Sequence, residues 1–182
     1  MENKLFIDAT LFLGMHYEDP VLRHRSLDVM SYAFKKKITM NLEQVGICDN
    51  IIWDYKRDIQ DGYYPFMDVL HSEMNILRIP YENHDLNTAQ NDSRLKIDTL
   101  NLQQKLLLAQ VINANGLLFT NDSIILDAFQ NSNLIGDPDE LKINKAESPL
   151  FNSTLDELYR TSLCLKVTSN KIAPSRETVG EL

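Results

Sequence analysis

The succession from Leu106 to Asp122 constrains this chain more than any other feature, because it reads as a buried helix, a tight turn, a short strand and then an acid. Leu106, Leu107, Leu108, Val111 and Ile112 leave the helix little room for a solvated face, and Leu117-Leu118-Phe119-Thr120 is an apolar strand ending at Asn121 and Asp122. The chain opens in the same way: Lys4-Leu5-Phe6-Ile7 is a short apolar run closed by Asp8, with Ala9-Thr10 and a helical pattern behind it. An open α/β sheet binds its ligands outside the carboxyl ends of its strands, where the strand order reverses. Two acids at two such ends are expected to share one site, and paired carboxylates suit a hard divalent cation.

Strand and helix signals alternate along the rest of the sequence, which predicts a three-layer α/β/α sandwich around a central, mostly parallel sheet. Strands are expected at Lys4–Asp8, Ile38–Met40, Asn75–Pro80 and Leu117–Thr120, with a short fifth at Asn133-Leu134-Ile135. Helices are expected from Thr10, after Asp19-Pro20, over Leu42–Tyr55, over Tyr64–Met74 with Pro65 in its first turn, and over Leu102–Asn115 behind an Asn101 cap. Residues 82–98 are polar and mixed. From Asp137 the composition turns polar, interrupted by Pro138, Pro149 and Pro174, yet Leu155, Leu158, Leu163 and Leu165 mark a helix after Ser153 or Thr154. The expected division is a domain over 1–136 and a C-terminal helical appendage and tail over 137–182, with Leu158 and Leu163 buried against the domain.

Eighteen Lys and Arg against 26 Asp and Glu give a formal charge of −8, which disfavours a broad basic face for nucleic acid. Basic residues cluster only at Arg23-His24-Arg25 and Lys35-Lys36-Lys37 and recur thinly at Lys142, Lys145, Arg160, Lys166, Lys171 and Arg176. The lysine run precedes the second strand, so it belongs at the amino end of the sheet, away from the acids. Cys48 and Cys164 lack metal-finger spacing and read as buried free thiols. No run of about 18 apolar residues is present, and Asp8 interrupts what a signal peptide needs to be continuous. A soluble cytoplasmic protein with no membrane association is expected. Neither a glycine-rich phosphate loop nor a serine nucleophile elbow occurs, which excludes those enzyme classes.

Asp8 and Asp122 each have a second reading as helix caps, because each stands directly before a helical pattern. Glu43 is equally placed to complement the start of its helix. Asp49 sits beside the apolar residues Val45, Ile52 and Trp53, where a carboxylate needs a partner or a metal. Asp68 and His71 have a spacing that lets both face one ion or simply each other. Trp53, Tyr55, Tyr63 and Tyr64 fit base stacking, core packing or a partner surface.

Asp8 after its strand, Leu100-Asn101-Leu102-Gln103-Gln104 ahead of Leu108-Ala109-Gln110-Val111, and Leu118-Phe119-Thr120-Asn121-Asp122 together resemble a PIN-type domain over roughly residues 4–135. The resemblance implies an acidic cluster that binds Mg²⁺ or Mn²⁺ and hydrolyses RNA. It also implies a toxin-like role with an antitoxin partner, and a homodimer. On that pattern Asp8 and Asp122 are catalytic and metal-binding, one or both of Glu43 and Asp49 supply the catalytic acid of the helix after the second strand, with Asp49 counted among the metal ligands, and Gln104 stands where the family carries another acid. An amide hydrogen-bonds but brings no charge to a cation. Two functions follow: a metal-dependent ribonuclease, or a catalytically weakened PIN-like interaction module.

Overall fold

Four short parallel strands set the architecture: β1 (Lys4–Ile7), β2 (Lys37–Asn41), β3 (Asn75–Ile79) and β4 (Gly116–Phe119), in the order β3-β2-β1-β4. The structure, a computed structural model, describes residues 4–34, 36–129, 132–141, 151–168 and 172. Lys35, Lys142, Lys145, Lys171, Arg176, Pro149 and Pro174 lie outside these, as do parts of the predicted appendage. The central place of β1 follows from its composition, since it is flanked on both sides and its apolar residues serve both faces of the sheet. Phe6 enters one core while Leu5 and Ile7 enter the other, and in β4 Leu118 and Phe119 divide in the same way. Pairing is in register through Leu5 with Ile38 and Leu5 with Leu117.

Around the sheet stand α1 (Ala9–Phe12, continued by a 3₁₀ turn to His16), α2 (Pro20–Phe34), α3 (Leu42–Trp53), α4 (Arg57–Glu73), α5 (Asn83–Asn91), α6 (Leu102–Asn113), α7 (Ser123–Phe129) and α8 (Ser153–Ser162). α1 to α4 and α8 share the core that holds Ile7 and Phe119, and α5 to α7 share the core that holds Phe6 and Leu118. The three-layer α/β/α arrangement is therefore the one the alternation of strand and helix signals predicts. No helix among the described residues is long and apolar enough to cross a membrane.

Several elements differ in detail from expectation. The helix predicted from Tyr64 begins two turns earlier, at Arg57, so Pro65 is interior. Its first turns are polar in sequence because the buried Gln60 is recruited to the α3–α4 corner, where Nε2 donates to the carbonyl of Tyr55 at 2.9 Å. Pro65 is exposed, as is Asp61, whose carbonyl the proline leaves without its helical donor. The predicted fifth strand is reduced to one bridge between Leu118 and Ile135. Gly136 ends it pressed on the Phe119 ring, where a Cβ would stand 2.4 Å from a ring carbon. Cys48 is buried as expected but Cys164 is exposed, because α8 stops at Ser162 and the thiol falls in the turn beyond. The turn between α6 and β4 uses Asn115 at φ 49°, a left-handed conformation that asparagine tolerates.

The C-terminal segment is built into the first core. Leu155, Tyr159, Leu165 and Val167 are buried, whereas Leu158 and Leu163, the residues expected to anchor it, are only half-buried. The Tyr159 hydroxyl donates to the carbonyl of Met15 at 2.8 Å, and Val167 bridges to Tyr17. His16 is fully buried between the rings of Tyr63, Phe66 and Tyr159 and contacts Ser162 Oγ through Nε2 at 2.8 Å. Ser162 gives its own proton to the carbonyl of Tyr159, so Nε2 of His16 is the donor and Nδ1 keeps a lone pair that no group meets.

Gly46 sits mid-way along α3, exposed, and a Cβ there would meet nothing within 4 Å. A solvent-facing helical glycine costs about 1 kcal/mol relative to alanine. Gly46→Ala is expected to recover that amount, read as a higher denaturant midpoint at unchanged slope.

Candidate functional site

β1, β2 and β3 progress in one direction across the sheet, while β4 lies on the other side of β1. The strand order therefore reverses between β1 and β4, and their carboxyl ends open a crevice of the kind in which α/β sheets bind ligands. Asp8 follows β1 directly and Asp122 stands three residues beyond β4. Both line one small cavity of about 40 Å³, together with Thr10, Gln44, Gln104 and Ile172.

Asp8 is 2% exposed. Its Oδ1 accepts from the backbone N–H of Leu11 at 2.9 Å, capping α1, and from the Thr10 hydroxyl at 2.7 Å, while Oδ2 accepts from the Thr120 hydroxyl at 2.5 Å. Each threonine has a single proton and gives it to Asp8, so the 3.1 Å approach of the two hydroxyl oxygens adds no further bond while Asp8 is ionised. Burial raises the Asp8 carboxyl to about 6, partly offset by the bonds from Thr120, Leu11 and Thr10, with the nearby charge of Asp122 adding a little.

Asp122 is held by α7 and α6 together. Oδ1 accepts from the N–H groups of Ile124 and Ile125 at 2.9 and 3.2 Å, and Oδ2 accepts from Gln104 Nε2 at 2.7 Å. The orientation of that amide is fixed, since Gln104 Oε1 accepts from the N–H of Asn101 while Asn101 Oδ1 accepts from the N–H of Gln104, a reciprocal helix cap. The amide must therefore turn its N–H toward Asp122. Gln44 occupies the equivalent third position of α3, and its Oε1 accepts from the N–H of Ala9 at 3.0 Å. Asn121 fastens the loop from behind, donating through Nδ2 to Ser26 Oγ at 2.8 Å and to the carbonyl of Thr10 at 3.2 Å. Gly14 must lack a side chain because a Cβ there would fall 2.1 Å from Ser26 Oγ.

A family of unknown function, DUF6190, matches the chain over residues 1–172. The chain belongs to that family. No curated protein and no solved structure matches the chain.

In this DUF6190 chain the residues singled out by sequence fall into two groups. Asp8, Asp122 and Gln104 meet at the crevice. Glu43 does not line it: its Oε2 accepts from the Tyr81 hydroxyl at 2.7 Å, tying α3 to the segment after β3. Asp49 lies two turns further along α3 and lines a different cavity with Asp68 and His71. Beside the two carboxylates and Thr10, the polar side chains lining the crevice are amides, and Gln44 is one that sequence reasoning passed over. A signal for it exists. Asn41-Leu42-Glu43-Gln44 and Asn101-Leu102-Gln103-Gln104 are near-identical helix starts, each with Asn at the cap and Gln at the third position.

This donor set does not fit Mg²⁺ or Mn²⁺. Among the described residues only two carboxylates line the cavity, and each of their four oxygens accepts at least one hydrogen bond from a neutral donor. Among the described residues no three His, Cys, Asp or Glu side chains gather where one ion could be held. A hard cation there would find one open lone-pair site on Asp8 Oδ2 and one on Asp122 Oδ2, with amides and hydroxyls in place of further anionic oxygen. Burial favours the protonated form of Asp8, and the threonine hydroxyls can serve either form, donating to the carboxylate or turning to accept from the carboxylic acid.

Proposed function

We propose that the chain is a PIN-like module that acts in the cytoplasm by binding a partner, and that it lacks metal-dependent cleavage of RNA. The observation that carries this reading is the Gln104 amide, locked by the Asn101 cap so that a hydrogen-bond donor faces Asp122 where the resemblance expects a third carboxylate. Gln44 supports it by supplying a second amide at the same crevice. The formal charge of −8 supports it as well, because a polyanionic substrate gains little from such a surface.

The competing reading is a Mg²⁺- or Mn²⁺-dependent ribonuclease with a toxin-like role, an antitoxin partner and a dimeric state. Convergence of Asp8 and Asp122 at the switch point favours it. Calorimetric titration with Mn²⁺ and an RNA degradation assay with and without chelator separate the two. The wild-type protein is expected to bind no Mn²⁺ and to leave RNA intact, and its melting temperature is expected not to respond to the ion. Gln104→Asp is expected to lose stability without metal, through the lost cap and a new carboxylate beside Asp122, and to recover it as Mn²⁺ is added. Chelator-sensitive cleavage by the wild type that disappears in Asp8→Asn would establish the ribonuclease instead.

A further inference from the structure

We propose that the outer face of α3 and α4 docks a cationic, amphipathic helical segment of another protein, with one large apolar side chain of that segment seated in the cavity between the two helices. The inference deepens the binding-module reading by naming the chemistry of the partner.

The cavity measures about 340 Å³, with Met40, Ile52, Tyr63 and Met67 in its apolar wall and Asp49 and Asp68 among its charged lining. That volume lies at the small end of ligand pockets and suits a single large side chain. Beside it the outward stripe of α3 runs Leu42, Gly46, Asp49, Trp53, at helical positions i, i+4, i+7 and i+11. Leu42 is 49% exposed and Trp53 66%, and exposed aromatic and aliphatic side chains around a pocket are what anchored interfaces offer. Between them Gly46 leaves open space where any other residue would project. Among the described residues nothing requires that glycine, whereas a helix laid along the stripe gains close backbone approach from it. The stripe spans about 17 Å, or three turns of an opposing helix.

Charge selects the occupant. Residues 42–73, which cover both helices, carry seven Asp and Glu against Lys56 and Arg57. This excess of five negatives is most of the chain's formal −8. Arg78 is the cationic member of the cavity lining, and Arg57 is already paired with Asp61 at 2.8 Å. A second copy would bring the same acidic face, so self-association here is opposed by like charge, while Lys and Arg flanking an apolar ridge are complementary.

Trp53 is the single tryptophan of the sequence and so reports directly on the face. The probes are two synthetic helical peptides of about 14 residues, free of tryptophan, with the same Leu and Phe ridge and either Lys or Glu on the polar side. The Lys peptide is expected to shift Trp53 emission to the blue and to saturate, to weaken as salt is raised, and to bind at least about tenfold more weakly to Asp49→Lys/Asp68→Lys. Gly46→Gln is expected to raise the melting temperature and yet abolish the shift, which separates blocked docking from unfolding. The proposal is overturned if neither peptide binds, if the Glu peptide binds as well as the Lys peptide, if Gly46→Gln leaves affinity unchanged, or if sedimentation shows a dimer that the Lys peptide does not dissociate. None of these outcomes touches the metal experiment, whose failure is read in Mn²⁺ binding and RNA cleavage.

Discussion

Acidification from pH 6.5 toward pH 3 is expected to detach α8 from the body of the protein, with a loss of about 5 kcal/mol of stability at most. His16 is the cause. Burial, reinforced by the positive charges of Lys166 and Arg23, pushes its imidazole down to about 3 from an ordinary 6.5. The unfolded chain therefore takes up the proton first, so the contribution of His16 is complete above pH 6.5 and is lost progressively as pH falls toward 3. Protonation would place a charge and a second N–H at Nδ1, which has no acceptor, among the rings of Tyr63, Phe66 and Tyr159. Chemical denaturation followed across this range, with cleavage after α8 scored by limited proteolysis, measures the effect. His16→Phe keeps the aromatic packing and removes the proton acceptor. A wild-type protein as acid-stable as that variant would refute the assignment.

Asp8 produces the opposite slope. Its carboxyl is raised to about 6 from 3.8, so the protonated form is the one the fold prefers, and the associated stability is full below pH 3.8 and lost as pH rises through 6. At pH 7 the buried charge costs about 3 kcal/mol as an upper figure. Asp8→Asn is expected to raise stability at neutral pH by up to that amount, since the amide oxygen still accepts from Leu11 and the threonine hydroxyls re-orient to meet an amide nitrogen. The same variant removes the gain that partly offsets His16 between pH 6 and pH 4, so it should lose stability on acidification more steeply than the wild type. Urea unfolding at pH 7 and pH 4.5 tests both halves. A destabilised Asp8→Asn at pH 7 would mean that the carboxylate is held for its charge, as a cation site requires.

The layers of the fold are legible in the sequence because strand and helix carry different apolar periods. β1 and β4 also announce their ends, since in each an apolar run stops at a polar group fit to cap the next helix. Asp8 and Asp122 were visible for that reason. Gln44 was not, because a glutamine in a first helical turn has the same appearance whether it caps its own helix or reaches across to Ala9. The start of α4 was hidden for a related reason: Gln60 bonds backbone carbonyls at the α3–α4 corner, a role that polar sequence does not distinguish from exposure. Pro65 then offered a false beginning, and only tertiary packing of Tyr63 and Phe66 carries the helix through it. Glu43 and Asp49 were ambiguous by number alone, and the backbone resolves them by turning one toward Tyr81 and the other toward α4.

The bridge between Tyr17 and Val167 has a consequence for how the chain assembles. β1 and the segment that follows it are synthesised well before their partners, since Met15, His16 and Tyr17 contact Tyr159, Ser162 and Val167. The parallel pairing of β1 with β4 already forces it to wait for residue 116. Closure of the first core waits some fifty residues more, so Met15, His16 and Tyr17 lack these partners until residues 159–167 have been made. Expression of residues 1–136 alone would leave that surface permanently open, and the product would be captured by chaperones or aggregate.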